Sequence, residues 1–118
     1  MGEKIDQFSQ FRQEMNERIL ATGTLSTKRF FNLDGATYQE GALSAKTKEL
    51  LGLVASTVLR CNDCITYHLL QCQEQGVSRA EFVEAFDVAL IVGGSIVIPH
   101  LRHAHAILKE LEAPKADA

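Results

Sequence analysis

"GALSAKTKELLGLVASTVLRCNDCITYH", residues 41–68, joins two helical patterns at a pair of cysteines. Leu50, Leu51, Val54 and Val58 recur at helical spacing and predict an inward stripe on a helix from about Ala45 to Arg60. A second helix is expected from about Asn62 to Gln75, closed by Gly76, a residue type favoured just past a helix end. Positions three and four apart share a helical face, so Cys61, Cys64, His68 and Cys72 fall roughly along one line, with Ile65 and Leu69 beside them. Cysteine and histidine chemistry therefore sits at the start of a helix.

The same periodicity extends outward in both directions. Ile5, Phe8, Phe11, Met15 and Ile19 form the apolar stripe of a first helix. "TGTLST" (22–27) interrupts it, and Ser26 is expected to cap a short helix containing Phe30 and Phe31. Downstream, Ser78 and Glu81 have capping-box spacing, and Phe82, Phe86, Ala89 and Leu90 make the buried face of the next helix. "GGS" (93–95) breaks the pattern before a last helix carrying Val97, Leu101, Ala104, Leu108 and Leu111, which Pro99 either starts or kinks. The tail "APKADA" (113–118) is expected to fray. No segment alternates at period two for long enough to need a sheet. The expectation is an all-α protein of about six helices, a single domain over residues 1–118. In the last helix Ile96, His100, His103 and Ile107 add a second inward stripe, which implies neighbours on both sides and predicts a homo-oligomer.

With 118 residues, 46% of them hydrophobic and 23% charged, the chain has the composition of a soluble globular protein. A net charge of −3 and the lack of a basic run give no reason to expect nucleic acid as a partner. The greasiest stretch, "VALIVGGSIVI" (88–98), is too short to cross a bilayer, and the charged amino terminus resembles neither a secretory signal nor a myristoylation site. The cytoplasm is the expected location, with no membrane partner. Thiols are kept reduced there, which leaves metal binding or redox chemistry for the close pair among the three cysteines.

Three readings of Cys61 and Cys64 compete. They could be small core residues, and for Cys72 that reading is favoured. They could be two zinc ligands completed by His68, His100 or His103, although the distal histidines come late and on another helix. They could be a reactive dithiol. Cys61 at the helix start is favoured as thiolate by unpaired backbone N–H groups and the macrodipole, whereas His68, one turn beyond Cys64, can exchange a proton with that sulfur. A disulfide between them requires a slightly unwound first turn. The dithiol reading is the best supported, because it needs two sulfurs and a proton acceptor and all three lie within eight residues. By pattern alone Glu49 reads as a solvated residue paired with Lys46 or Lys48; pointing inward, it would orient His68. His100 and His103 read as a satisfied interior or interface pair, with a supporting place near the dithiol as the other option, and His105 falls on a wet face with Arg102 and Lys109. Tyr67 and Asp63 flank the motif without an assigned role.

Glu49, Cys61, Cys64 and His68, separated by eleven, two and three residues, together resemble the AhpD-like alkylhydroperoxidase core of the carboxymuconolactone decarboxylase family. The similarity covers about residues 41–94, through "GVSRAEFVEAFDVALIVGG". The resemblance implies an all-helical fold assembled as trimers or hexamers, and peroxide reduction or thiol–disulfide exchange without metal, haem or other cofactor. It implies that Cys64 attacks a hydroperoxide or disulfide substrate, that Cys61 resolves the product as a disulfide, and that Glu49 and His68 form a proton relay. The implied reductant is a dithiol, lipoyl or thioredoxin-like. This chain departs from longer members in carrying one such domain and a histidine-rich last helix. The decarboxylating branch of the family generally lacks the cysteine pair, so the family label is expected to name a reaction that this chain does not perform.

Overall fold

A computed structural model of the chain describes residues 2–113. Six helices follow one another: α1 (Glu3–Thr22), α2 (Leu25–Thr37), α3 (Ala45–Val58), α4 (Asn62–Glu74), α5 (Arg79–Gly93) and α6 (Ile98–Glu112), with one 3₁₀ turn (Ser95–Val97) before α6. No strand occurs among the described residues, as the periodicity requires. The tail beyond Ala113 lies outside them.

Local chemistry sets the helix ends. Ser44 starts α3, its hydroxyl accepting from the Thr47 amide at 3.0 Å. The capping box of α5 is complete: the Ser78 hydroxyl accepts from the Glu81 amide at 3.1 Å, and the Glu81 carboxylate accepts from the Ser78 amide at 2.8 Å. A cap of this kind stabilises a helix by about 1 kcal/mol. Gly76, at φ +78°, turns the chain after α4 so that the Val77 amide reaches the Cys72 carbonyl at 3.0 Å. Pro99 lies in the first turn of α6 and starts that helix without kinking it. The amino end of α1 is capped from across the molecule, Glu110 of α6 accepting from the amides of Lys4 (3.1 Å) and Ile5 (3.0 Å).

α3 packs on α4 and α5, α4 packs on α6, and α1 crosses both α6 and α4. Their shared core joins Ile5, Leu53, Ile65, Leu69, Cys72, Val77, Phe82, Phe86, Ala104, Ile107 and Leu108. Each buried Leu, Ile or Phe contributes about 1.5–3 kcal/mol, so α4 and α6, which supply three core residues each, are firmly anchored.

Several expectations need correction. Thr24, not Ser26, caps α2, its amide donating to the Thr27 hydroxyl at 3.2 Å. The inward stripe of α3 is rotated from the expected one. Leu51 is 55% exposed and Leu53 is fully buried, together with Glu49, Ser56 and Thr57. A carboxylate and two hydroxyls share the inward face, and hydrophobic periodicity cannot register them. The stripe of α1 is only partly covered, since Ile5 is buried but Phe11 is 65% exposed. Ile96 lies in the 3₁₀ turn before α6 and is exposed, whereas His100 and His103 bond side chains of α4 in the same chain and Ile107 is buried in the core. Uncovered apolar residues lie on several helices: Leu25, Phe30 and Leu33 on α2, Leu51 on α3, and Val88, Ile91 (85% exposed) and Val92 on α5, with Leu59 exposed just after α3. Among the described residues no helix is long and apolar enough to cross a membrane.

Candidate active site

The junction of α3 and α4 is a single sharp turn. Arg60 adopts the left-handed conformation at φ +62°, its amide reaching the Thr57 carbonyl at 3.0 Å while the Cys61 amide reaches that of Ser56 at 3.1 Å. This is the Schellman closure of a helix, with arginine where glycine is usual. It delivers Cys61 directly to the N-cap of α4.

At that position the backbone of Cys61 is extended, with φ −103° and ψ 98°, and its sulfur accepts from the Cys64 amide at 3.2 Å. Cys61 and Cys64 are joined as a disulfide, their Cα atoms 5.3 Å apart. The unwound first turn expected from spacing is not required, because the N-cap residue stands outside the helix already. Cys61 is half-buried and Cys64 is exposed.

Below the sulfurs, His68 is buried at 8% exposure and Glu49 at 5%. The Glu49 carboxylate does not turn to solvent. Lys46 pairs with Glu81 at 3.0 Å, and the Lys48 ammonium donates to the carbonyls of Thr37 (2.9 Å) and Gln39 (2.7 Å). Glu49 meets His68 instead, with Nδ1 and Oε1 2.8 Å apart. A carboxylate can only accept, so Nδ1 carries a proton, and in the neutral imidazole the lone pair lies on Nε2. Burial of the pair in one hydrogen bond fixes both ring orientation and tautomer.

Tyr67, which flanks the motif, and three residues that sequence reasoning did not mark, Gly52, Tyr38 and Arg12, shape this slot. Gly52 forms its floor: a Cβ there would lie 2.7 Å from His68 Cε1 and 2.9 Å from both ring nitrogens. The ring therefore lies flat on the α3 backbone. Tyr38, just after α2, places its hydroxyl 3.5 Å from His68 Nε2, the ring centroids 5.4 Å apart. Arg12 of α1 stacks over the Tyr67 ring at 4.2 Å, and Tyr67 in turn meets His68 edge-on at 5.2 Å. Burial raises the phenol pKa of both Tyr38 and Tyr67; for Tyr38 the Glu49 charge adds to the rise, and for Tyr67 Arg12 opposes it.

Cys64 and His68 both line a cavity of about 760 Å³ between α4 and the partly covered face of α1. Phe8, Phe11, Met15 and Ile19 supply its apolar wall, and His103 of α6 lines it too. The His103 Nε2 lies 2.7 Å from the Thr66 hydroxyl, and burial lowers its pKa. His100 pairs with Asn62 at 2.8 Å. Both distal histidines thus bind side chains of α4 rather than approach the sulfurs as ligands. Among the described residues no group of three or more His, Cys, Asp or Glu converges as metal ligands would. Cys72 is fully buried in the core, and desolvation, followed by the Glu49 charge, pushes its thiol pKa up to about 12. His105 is exposed beside Phe86.

Comparison with known proteins places this geometry. The family model for the carboxymuconolactone decarboxylase family matches residues 24–110. The crystal structure of TM1620 from Thermotoga maritima is 63% identical with a TM-score of 0.87, covering 89% of this chain and 92% of that one. A second structure of TM1620 (62% identity, TM-score 0.85, 89% of each chain) is described as a member of the same family with a suggested involvement in antioxidative response. The apo structure of lpg0406, a family protein from Legionella pneumophila, shares the fold at a TM-score of 0.86 and 21% identity, covering 95% of this chain and all of that one (100%). A curated relative, uncharacterized protein 4 in the cox locus of Paracoccus denitrificans, is 28% identical over 83 residues, 70% of this chain and 75% of its own length. By these matches in sequence and structure, the chain belongs to the carboxymuconolactone decarboxylase family.

Proposed function

We propose that this chain is a thiol-dependent peroxidase and thiol–disulfide oxidoreductase, with Cys64 as attacking sulfur, Cys61 as resolving sulfur, and Glu49 and His68 as the proton relay. The observation that carries this reading is an exposed Cys64 on the same cavity as His68, whose Nδ1 is held by a buried carboxylate. An imidazole fixed in that way keeps Nε2 available as a base. The suggested antioxidative involvement of TM1620 points in the same direction.

The steps balance without a cofactor. His68 takes the Cys64 proton, the thiolate attacks the distal peroxide oxygen, and the O–O bond breaks. The departing alkoxide recovers the proton as an alcohol, leaving a sulfenic acid on Cys64. The Cys61 thiol then displaces water and forms the disulfide. A dithiol, lipoyl or thioredoxin-like, supplies two electrons and two protons to restore both thiols. The apolar residues exposed on α5 and α3 support self-association as a trimer or hexamer, which light scattering on the purified protein measures.

The test is a reaction of the reduced protein with hydrogen peroxide and with cumene hydroperoxide, followed by thiol-trapping mass spectrometry. A Cys61–Cys64 disulfide that forms with peroxide, and turns over with dithiothreitol, is expected. Cys64→Ser abolishes peroxide consumption, and Cys61→Ser leaves a trappable sulfenic acid. Consumption at the wild-type rate by Cys64→Ser would refute the assignment of the nucleophile.

A further inference from the structure

Tyr38 lies outside the cysteine motif, 30 residues before His68, yet its hydroxyl is beside the one imidazole atom through which the base must act. With Cys61 and Cys64 joined, no thiol is available to hydrogen-bond Nε2. A lone pair with no fixed donor in the protein leaves the ring free to seek another orientation. The Tyr38 hydroxyl, 3.5 Å away, is the donor at hand.

Its placement is built rather than incidental. Tyr38 follows α2, a helix with no buried residue of its own, so packing of that helix does not hold it in place. Lys48 of α3 does so, bonding the carbonyls of Thr37 and Gln39 on either side of Tyr38. The next residue, Glu49, fixes the opposite end of the imidazole. Two successive residues of α3 thus secure the two groups that bracket His68.

We propose that Tyr38 is a positioning residue that holds His68 Nε2 while the dithiol is oxidised, so that the base is in place when a reducing thiol arrives. This rests on the reading of His68 as the base. In the reduced protein the Cys64 thiol can itself donate to Nε2, and the phenol becomes redundant. In the oxidised protein the phenol is the side chain among the described residues that bonds Nε2. Loss of the hydroxyl must therefore slow the reductive half of the cycle more than the oxidative half. A residue that merely supports the fold would slow both alike.

The experiment uses Tyr38→Phe, which removes only the oxygen. The protein contains no tryptophan, so each half is followed by acid quench, alkylation and mass spectrometry. Dithiothreitol is the reductant for the disulfide form and hydrogen peroxide the oxidant for the dithiol form. Reduction is expected to slow about three- to tenfold, the equivalent of one hydrogen bond, with oxidation changed by less than about twofold. Lys48→Met, which releases the Tyr38 backbone, is expected to show the same asymmetry.

Equal slowing of both halves, or no change in either, overturns the proposal. His68→Ala is the reference: if it reduces at the wild-type rate, Tyr38 has nothing to act through and the proposal also falls. A wild-type protein inert to hydrogen peroxide refutes the peroxidase reading instead. In that case oxidised dithiothreitol serves as the oxidant, and the same asymmetry decides for or against Tyr38.

Discussion

Replacing Gly52 with alanine sets two effects of opposite sign against each other. Alanine in a helix interior is favoured over glycine by about 1 kcal/mol, so α3 as an isolated helix gains. The added methyl, however, falls 2.7–2.9 Å from three atoms of the His68 ring. Carbon atoms at their best separation are about 3.5–4.0 Å apart, so the ring must retreat by roughly 0.7–1 Å. Glu49 stays behind on α3, and its 2.8 Å bond to Nδ1 stretches beyond hydrogen-bonding reach. Leaving that buried carboxylate without its partner costs about 1–3 kcal/mol.

The net expectation for Gly52→Ala is a stability change between neutral and about 2 kcal/mol unfavourable, read from urea unfolding. Reactivity falls further, because a misplacement of about 1 Å at a catalytic group can cost on the order of 100-fold in rate. The control is Gly35→Ala in α2, where a Cβ meets nothing within 4 Å. That variant should show the helix gain alone, about 0.5–1 kcal/mol, with unchanged peroxide consumption. The two substitutions are chemically identical and differ only in what the methyl meets. If Gly52→Ala is stabilised as much as Gly35→Ala and reacts at the wild-type rate, the imidazole does not depend on that floor, and the account of its orientation is wrong.

Arg60→Gly removes a left-handed non-glycine residue and should stabilise the fold by about 1 kcal/mol, measured by urea unfolding. Cys72→Ala should lose about 1 kcal/mol for the buried volume yet leave peroxide kinetics unchanged; in the folded wild type, whose Cys72 thiol pKa is pushed up to about 12, Cys72 should resist alkylation at neutral pH. Burial depresses the His103 pKa, so folding favours its neutral form: its contribution to stability is full above about pH 6.5 and is lost as pH falls through the lower folded value. Unfolding midpoints at about pH 7.5 and about pH 5.5 should therefore differ less in His103→Asn than in wild type. Glu110→Ala leaves two amides of α1 uncapped and should speed hydrogen exchange at that end of the helix by a factor consistent with about 1 kcal/mol.

Helix boundaries were largely legible because their signals are local. Ser78 with Glu81, Gly76 and Pro99 each act within a turn of their own position, and each does what its chemistry predicts. Glu49 was illegible to pattern for a physical reason. A carboxylate flanked by leucines and lysines reads as surface, and only a partner 19 residues away makes its burial favourable. The family resemblance pointed it inward where periodicity did not. Gly52 and Tyr38 gave no signal, since a glycine in a helix has many uses and the phenol meets His68 only through the turn that Lys48 holds. The pairings of His100 with Asn62 and His103 with Thr66 depend on how α6 lies on α4, a relation no single segment encodes.

The two sulfurs posed a conflict in sequence, because the helix start favours Cys61 as thiolate and His68 favours Cys64. On the proposed function the two influences act at different steps. Cys64, exposed on the cavity, is the sulfur that an incoming oxidant or reductant can reach. Cys61, half-buried at the N-cap and accepting the Cys64 amide, is the sulfur whose negative charge the helix end stabilises. When a reducing thiol attacks Cys64, Cys61 departs as thiolate, and a stabilised thiolate leaves faster. On the proposed reading, then, His68 serves attack and the helix terminus serves departure, so neither influence has to prevail over the other. Trapping the mixed disulfide with a single-thiol reductant tests this division: the adduct should form on Cys64 with Cys61 free to alkylate. An adduct predominantly on Cys61 would reverse the roles of the two sulfurs while leaving Glu49 and His68 where they are.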